Sequence, residues 1–339
     1  MSKRKLTRRQ AWRIAKIQEE KTRRATKKQQ QLDENINASS LGPEQNGLVI
    51  AHYGNSVAVE SETHPVTTKR CHVRANIENL VTGDRVVWQD SDSLGVVVAR
   101  HERKSILARP DNYHNLKPVA ANIDNIIVVF SPLPVPHQEL LDRYLVAAEA
   151  ARIQPVLLLN KTDLLDKSNL QEINALIELY RSIGYPVLQC SALDGFGIAD
   201  LKNFLSTRTC VFVGQSGVGK SSLVNYLLPD TDTAVAPISE KSSLGQHTTT
   251  TAVLYHFPEG GDLIDSPGIR EFALWHINPD ELIEQFIEFR PFIGHCKFND
   301  CRHLQEPGCA ILAAVADSRI NPRRLDSYRK ILQALQDWK

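Results

Sequence analysis

The chain has 339 residues, of which 42% are hydrophobic and 23% charged, a composition typical of a soluble globular protein with two or three domains. Its 40 basic and 39 acidic residues nearly cancel, leaving a net charge of +1. No apolar run approaches the roughly 20 residues that span a bilayer, and the basic N-terminus lacks the apolar core of a secretory signal. We therefore expect a cytoplasmic protein without a membrane partner.

Residues 1–31 form a basic arm, followed by a polar linker with Gly and Pro at 33–46. The arm has two acidic residues, Glu19 and Glu20. This charge density favours contact with nucleic acid or another anionic surface, and the alternative is a solvated tail without a specific partner. The basic residues are Lys3, Arg4, Lys5, Arg8, Arg9, Arg13, Lys16, Lys21, Arg23, Arg24, Lys27 and Lys28.

Short apolar segments then alternate with turns, and later strands alternate with helices. Five short strands in about 60 residues, starting with a hairpin signal at Gly54, predict a small closed barrel. From about Asn122, buried strands such as "NIIVVF" and "PVLLL" alternate with helical stretches such as "HQELLDRYLVAAEA". That alternation predicts a doubly wound parallel sheet whose strands are covered on both faces.

After about His276 the chain is predicted to be helical. Asn278 and Asn321 are candidate caps, each followed by Pro at the first helical position. The second of these helices has an apolar stripe at Leu325, Tyr328, Ile331, Leu332 and Leu335, and Arg323, Arg324, Arg329 and Lys330 lie mostly off it.

The stretch "CVFVGQSGVGKSSLVNYLL" has a strand, a Gly-rich loop and a helix in the order of a phosphate-binding loop. Its glycines let backbone N–H groups approach an anion at a helix N-terminus. Lys220 is expected on the β- and γ-phosphates, and the Ser221 hydroxyl on Mg²⁺. An ordinary glycine turn is the alternative. The predicted nucleotide contacts are Gly214, Gln215, Ser216, Gly217, Val218, Gly219, Lys220, Ser221 and Ser222.

The later stretch "DLIDSPG" supports that interpretation. Asp265 ends a short apolar strand, as an aspartate that holds Mg²⁺ should, and the N–H of Gly268 could contact the γ-phosphate. D-x-x-G alone is a weak signal, so its value depends on the loop at 214.

A guanine-binding motif is predicted at "NKTD", which comprises Asn160, Lys161, Thr162 and Asp163. The Asp163 carboxylate can accept both the ring N–H and the exocyclic NH₂ of guanine, a donor pair that adenine lacks. Ser191 and Ala192 end the next strand, where a backbone N–H could meet guanine O6. Each motif alone is more often a polar turn, but both lie at strand ends, where open α/β sheets bind ligands.

Cys296, Cys301, His303 and Cys309 lie close together in the sequence. Three thiolates and one imidazole suit a four-coordinate Zn²⁺ site, and with no ligand position to spare the ion would be structural. Unrelated thiols in a helical domain are the alternative. Cys71, Cys190 and Cys210 are in apolar or strand-like surroundings and are expected to be buried free thiols.

The motif order NKTD, SA, GQSGVGKS, GQHTTT, DSPG resembles that of the circularly permuted GTPases. With the barrel and the Cys/His cluster, nearly the whole chain closely resembles the RsgA family (also called YjeQ or EngC). The resemblance implies an arm and linker at 1–45, an OB-fold barrel at 46–112, a permuted P-loop GTPase domain with helices on both faces of a parallel sheet at 113–275, and a helical zinc domain at 276–339.

The resemblance also implies ribosome-stimulated hydrolysis of GTP to GDP and phosphate during late maturation of the small ribosomal subunit. Hydrolysis would switch the release of the protein or of other assembly factors. The implied cofactors are GTP/GDP, Mg²⁺ and one structural Zn²⁺, and the implied partners are the subunit and its rRNA, with other assembly factors as further candidates. We expect a monomer.

Two switch residues are implied by the same resemblance. Thr249 is expected to ligate Mg²⁺, with Thr248 and Thr250 as alternatives, and His247 is expected to position the attacking water. Ile269 stands where many GTPases have a water-orienting Gln, so intrinsic hydrolysis should be slow. Two other functions stay open: a P-loop ATPase or small-molecule kinase with an accidental NKTD, and a zinc-dependent RNA-binding module that nucleotide merely stabilises.

Overall fold

The computed structural model describes residues 41–337 apart from 55, 78, 111–115, 230–251 and 266–276. The basic arm, His247, Thr249 and Gly268 lie outside the described residues. The chain divides into two compact units. The described parts of the first are 41–49, Tyr53–Leu80 and Arg85–His101, and those of the second are Ile50–His52, Val81–Asp84 and 102–337.

The first unit is the predicted five-stranded barrel. Its strand order is β1-β2-β3-β5-β4, and β4 pairs back with β1, so the ring of hydrogen bonds closes. β3 and β5 are parallel, whereas β2 with β3 and β4 with β5 are antiparallel. Val49, Val59 and Trp88 belong to its buried core. The strands are β1 Glu44–His52, β2 Ser56–Ser61, β3 Thr68–Val73, β4 Arg85–Gln89 and β5 Gly95–Arg100.

The second unit contains the predicted parallel sheet, in the order β10-β9-β8-β11-β13-β12. All neighbours are parallel except β12, which runs antiparallel to β13. An additional antiparallel hairpin, β6 with β7, precedes it. The strands are β6 Ile106–Pro110, β7 Leu116–Ala121, β8 Asn125–Phe130, β9 Gln154–Leu159, β10 Val187–Gln189, β11 Thr209–Val213, β12 Val253–His256 and β13 Asp262–Asp265.

Helices cover this sheet because its strands are apolar on both faces; every residue of β8 is buried. Ile127 and Val129 of β8 share one core cluster with α3 and α4, while α1 contacts β8 and β9. α2 ends at Gly184, whose φ of 109° gives the left-handed cap that glycine favours. The helices are α1 Gln138–Ala150, α2 Leu170–Ile183, α3 Ile198–Leu205 and α4 Lys220–Leu227.

The C-terminal region has more irregular helices than the sequence predicts. Asn278 and Asn321 do act as caps, each accepting a hydrogen bond from the backbone N–H two residues later. The segments after Asn278, however, are two 3₁₀ helices, Pro279–Gln285 and Ile287–Phe292, separated by Phe286 in an extended conformation. The α-helices here are α5 Ala310–Ala316 and α6 Pro322–Gln336.

Arg324 of α6 is one of the basic residues predicted to lie mostly off the apolar stripe of that helix, and its environment could not be predicted from the helical pattern. It is fully buried. Its Nη1 donates to Asp142 Oδ1 of α1, and its Nε donates to Glu288 Oε1 at 2.6 Å. Tyr180 of α2 also donates to Asp142 Oδ1, at 2.7 Å. A buried charge needs such partners, and Asp142 lies too far away in the sequence for a local pattern to reveal it.

Barrel, parallel P-loop sheet and helical Cys/His region together confirm the predicted multidomain α/β fold class. The exact domain limits at 45, 112 and 275 stay a prediction. No helix in the described part of the chain combines the length and apolarity needed to cross a bilayer.

Candidate nucleotide site and Cys/His cluster

The loop after β11 has the geometry of a phosphate-binding loop. Gly214, Gly217 and Gly219 have φ of 140°, 85° and 91°, values that residues with a side chain rarely adopt. Gly219 is the N-cap of α4, so the helix begins at Lys220. The Lys220 ammonium donates to the carbonyl oxygens of Gly214 and Gln215, both at 2.7 Å. Its charge therefore lies inside the loop, in front of the helix N-terminus.

NKTD lies directly against this loop. Asn160, which is buried, follows β9, and its Nδ2 donates to the carbonyl oxygen of Val218 at 2.9 Å. Lys161 Nζ donates to the carbonyl oxygen of Gly217 at 2.6 Å. A Cβ on Gly219 would lie 2.4 Å from Asn160 Nδ2, so only glycine permits this approach. Two motifs more than 50 residues apart therefore form one continuous edge of the sheet.

Asp163 is held by the loop after β10. Ser191 is fully buried, and its hydroxyl donates to Asp163 Oδ1 at 2.5 Å. The same hydroxyl accepts the backbone N–H groups of Leu193 and Asp194, at 3.2 and 3.4 Å. Asp163 is itself exposed. The structure thus presents an oriented carboxylate to solvent at the end of NKTD.

One recess brings together three residues predicted to act on phosphate and Mg²⁺. Lys220, Ser221 and Asp265 line it, over an apolar floor that includes Phe212 and Leu263. β11 and β13 are adjacent and parallel, so both strands end at the same edge. A hydroxyl and a carboxylate beside a phosphate loop are oxygen ligands of the kind Mg²⁺ prefers.

The four predicted zinc ligands lie together in the C-terminal region, with all their ligand atoms within 4.8 Å of one another. His303 Nδ1 is 3.3 Å from Cys309 Sγ and 3.6 Å from both Cys296 Sγ and Cys301 Sγ. The sulfurs of Cys296 and Cys309 are 3.9 Å apart. In a zinc tetrahedron, sulfur–sulfur edges are about 3.8 Å and sulfur–nitrogen edges about 3.5 Å. The donor set therefore fits a tetrahedral divalent cation.

The protonation states in this cluster also suit a cation. Burial lowers the pKa of His303, so its imidazole is neutral and can ligate. Burial raises the pKa of the Cys301 thiol to about 12 and also raises that of Cys309. At neutral pH the Cys301 and Cys309 thiols would ionise readily only beside a positive ion, which a divalent metal supplies.

Comparisons with known proteins decide the family. Residues 100–275 match the family model described as RsgA GTPase. The chain is 55% identical over 338 residues to the small ribosomal subunit biogenesis GTPase RsgA of Pseudomonas aeruginosa, covering 99% of both chains. The chain belongs to the RsgA GTPase family. It is therefore a GTPase, and the family implies GTP or GDP with Mg²⁺ as its ligands.

Solved structures of the RsgA family support the same assignment. YjeQ from Thermotoga maritima is 32% identical with a TM-score of 0.72, and the match covers 87% of this chain and 99% of that one. YloQ, described as a circularly permuted GTPase, is 33% identical with a TM-score of 0.71 and coverages of 88% and 96%. Circular permutation explains why NKTD precedes the phosphate loop in the sequence. The site is unaffected, because a site at a sheet edge depends on which strand ends are adjacent and not on their order along the chain.

Two contacts around the candidate nucleotide site were not predicted from the sequence, one made by Leu133 and one by Cys190. Leu133, in the loop after β8, accepts a hydrogen bond from Lys161 Nζ at 3.3 Å through its carbonyl oxygen, a role that no side-chain pattern encodes. Cys190 places its sulfur 3.6 Å from Asn160 Oδ1.

Cys71, Cys190 and Cys210 are buried and unbridged, as predicted. Burial raises the pKa of each thiol, to about 12 for Cys71 and Cys190.

Proposed function

We propose that this chain is a GTPase that binds the small ribosomal subunit, is stimulated by it and assists its late maturation. Hydrolysis would act as a switch for its own release or that of other assembly factors. The observation that carries the GTP site is the hydrogen bond from Asn160 Nδ2 to the Val218 carbonyl, because it makes NKTD and the phosphate loop one site. The subunit as partner is supported by the name of the Pseudomonas aeruginosa relative.

Guanine is selected by Asp163 in this proposal. With one oxygen held by Ser191, the carboxylate accepts the two adjacent N–H donors of the base. Asn160 and Lys161 brace the phosphate loop against the base-binding segment. Thr162 begins the short 3₁₀ helix Thr162–Leu164, which carries Asp163. The backbone N–H of Ala192 faces guanine O6. Adenine cannot donate to Asp163 in the same way, so an ATPase is disfavoured.

The phosphates lie on the N–H groups of residues 214–222, with the Lys220 ammonium between the β- and γ-phosphates. Ser221, Asp265 and Thr249 would hold Mg²⁺, which would supply positive charge to neutralise the charge that develops on the phosphates. The N–H of Gly268 contacts the γ-phosphate. His247 orients the attacking water, since Ile269 has no polar group to do so.

Cys296, Cys301, His303 and Cys309 hold one structural Zn²⁺. The distances among their ligand atoms support a closed tetrahedral site without a position for substrate. The contact with the subunit is made to rRNA, and the basic arm, the barrel and the zinc region are its candidate surfaces. The protein acts as a cytoplasmic monomer.

GTP turnover by the full-length protein, with and without purified small ribosomal subunits, tests this function. We expect slow turnover of GTP by the protein alone, clear acceleration by small subunits, little effect of large subunits, and almost no turnover when ATP replaces GTP. Equal turnover of ATP and GTP would refute the guanine site. GTP turnover that small subunits do not change would refute the ribosomal function.

A further inference from the structure

The segment Val81–Asp84 has a special position in the chain. Its neighbours in the sequence on both sides, Leu80 and Arg85, belong to the barrel unit, but the segment itself packs within the second unit. Thr82 and Asp84 are fully buried there, although both are polar. Buried polar groups persist where their hydrogen bonds are satisfied, so their partners indicate what the segment does.

The segment is held by Arg103, by Asn122 and by a hydrogen bond within the segment itself. Arg103 donates to both oxygens of Asp84, from Nε at 2.7 Å and Nη2 at 2.8 Å. Asp84 Oδ2 also accepts the backbone N–H of Val81 at 2.8 Å, which closes the turn. Asn122 Nδ2 donates to the carbonyl oxygen of Gly83 at 2.7 Å. A bidentate buried ion pair with backbone hydrogen bonds of this kind fixes a turn more firmly than apolar contact alone.

This turn contacts the two strands that flank the Mg²⁺ side of the nucleotide site. The Thr82 hydroxyl donates to the Ala252 carbonyl oxygen at 2.8 Å. A Cβ on Gly83 would lie 3.1 Å from Ile264 Cδ1 and 2.1 Å from the Ala121 carbonyl oxygen, so glycine permits the close approach. Ala252 directly precedes β12, and Ile264 directly precedes Asp265 within β13.

We infer that Thr82 is a positioning residue for GTP hydrolysis. Its hydroxyl fixes the Ala252 carbonyl at the start of β12, where Val253 pairs with Asp265. The anchor therefore fixes the strand pair that carries Asp265, a residue proposed to hold Mg²⁺, at the phosphate edge of the sheet. The inference rests on the proposed role of Asp265 in the function given above, and Thr82 acts through the strand pair that carries this aspartate.

Substitution of Thr82 by Val removes the hydroxyl with little change in volume and leaves the Ala252 carbonyl unpaired. Loss of one partner of a buried hydrogen bond is unfavourable because the acceptor stays buried without a donor. Because the anchor acts on the hydrolytic side of the site, kcat should fall about tenfold while KM for GTP and the Kd for GDP stay within about twofold. Thr82→Ser retains the donor and should keep kcat within about twofold.

Thr209→Val is the matched control. The Thr209 hydroxyl donates to Asp262 Oδ2 at 3.0 Å, at the start of β13, the end of that strand away from Asp265. The variant loses a hydroxyl hydrogen bond to β13, the strand beside β12, without touching Ala252. A general stability effect would lower the thermal midpoint of both variants, whereas a positioning effect lowers kcat only for Thr82→Val.

The experiment measures kcat, KM and GDP affinity for full-length wild type, Thr82→Val, Thr82→Ser and Thr209→Val, without ribosomes and then with small subunits. A loss of kcat confined to Thr82→Val supports the inference. Wild-type kcat in Thr82→Val, an equal loss in Thr209→Val, or an equal loss in Thr82→Ser overturns it. If Thr82→Val does not fold, Asn122→Asp replaces it, because that variant removes the donor to Gly83 and should show the same split between kcat and KM.

The two proposals fail in different ways. If small subunits do not change the rate at which the wild-type protein hydrolyses GTP, the ribosomal function is contradicted. The intrinsic kcat values of wild type and variants can still be compared. Stimulation of the wild type by small subunits, together with a wild-type kcat in Thr82→Val, contradicts the positioning role alone.

Discussion

The sheet edge that carries the nucleotide site and the C-terminal Cys/His region maintain their shape by different means. The sheet rests on strands buried on both faces, and its loops are tied by hydrogen bonds such as Asn160 to Val218. The Cys/His region has short 3₁₀ helices, a small aromatic cluster of Phe286, Phe289 and Tyr328, and four ligand side chains converging on one point. The sheet edge is formed by apolar burial, whereas we expect the fold of the Cys/His region to depend on a bound cation and on buried charges.

Of the changes predicted to separate the two regions, removal of the metal should have the largest effect, a local loss of structure in the Cys/His region. Chelation, or Cys309→Ser, should abolish hydrogen-exchange protection in residues 295–310, because binding of structural zinc and folding of its site are one process. Protection of β8 and β9 and the affinity for GDP should persist.

Cys71→Ala, at a buried cysteine of the barrel, is the control and should retain one zinc per chain. Loss of protection in β8 and β9 together with the Cys/His region would show that the two regions do not differ in the way described.

Arg324→Met should have the next largest effect, because it leaves Asp142 and Glu288 facing each other without their cation. Breaking a buried ion pair on one side costs about 3–5 kcal/mol of unfolding free energy. Urea unfolding of wild type and variant measures this loss of unfolding free energy. Arg323→Met, at an exposed neighbour on the same helix, should change stability by no more than about 0.5 kcal/mol. Equal effects of the two substitutions would mean that the buried network does not hold α6 to α1.

Glu306→Gln should have the smallest effect of these substitutions, and we expect it in the rate of zinc release. Its carboxylate accepts backbone N–H groups of Arg302, Leu304 and Gln305 at 2.7–3.0 Å, which shapes the loop around His303. We expect zinc release to a chelator to accelerate a few-fold, since supporting residues tune metal sites less than the ligands do. Asp300→Asn, at an exposed residue of the same loop, is the control; equal acceleration there would remove the role of Glu306.

The pH dependence of the Glu306 contribution follows from its pKa. Desolvation favours the neutral form, but the backbone N–H donors of Glu306 itself, Arg302, Leu304 and Gln305 outweigh it and lower the pKa from 4.5 to about 2. A lowered folded-state pKa means that the stabilisation is present above about pH 4.5 and lost as the pH falls towards 2. The stability difference between wild type and Glu306→Gln should shrink over that interval.

The sequence predicts the regular parts of this fold well and its long-range polar contacts poorly. Apolar strands, the glycine loop and the ligand spacing from Cys296 to Cys309 are local patterns, so they can be recognised directly. The extended Phe286 between two 3₁₀ helices, and the burial of Arg324 against Asp142, depend on partners far along the chain. Thr82 is similar: its partner Ala252 is 170 residues away.

The nucleotide preference of Asp163→Asn tests the central claim most directly, that NKTD in this order forms a guanine site with the phosphate loop. Affinities for GTP, XTP and ATP would be measured on wild type and variant by competition against a labelled nucleotide. We predict that the variant loses about 10²- to 10⁴-fold in GTP affinity, the equivalent of two charge-assisted hydrogen bonds, and gains affinity for XTP. Unchanged GTP preference in Asp163→Asn would contradict the account.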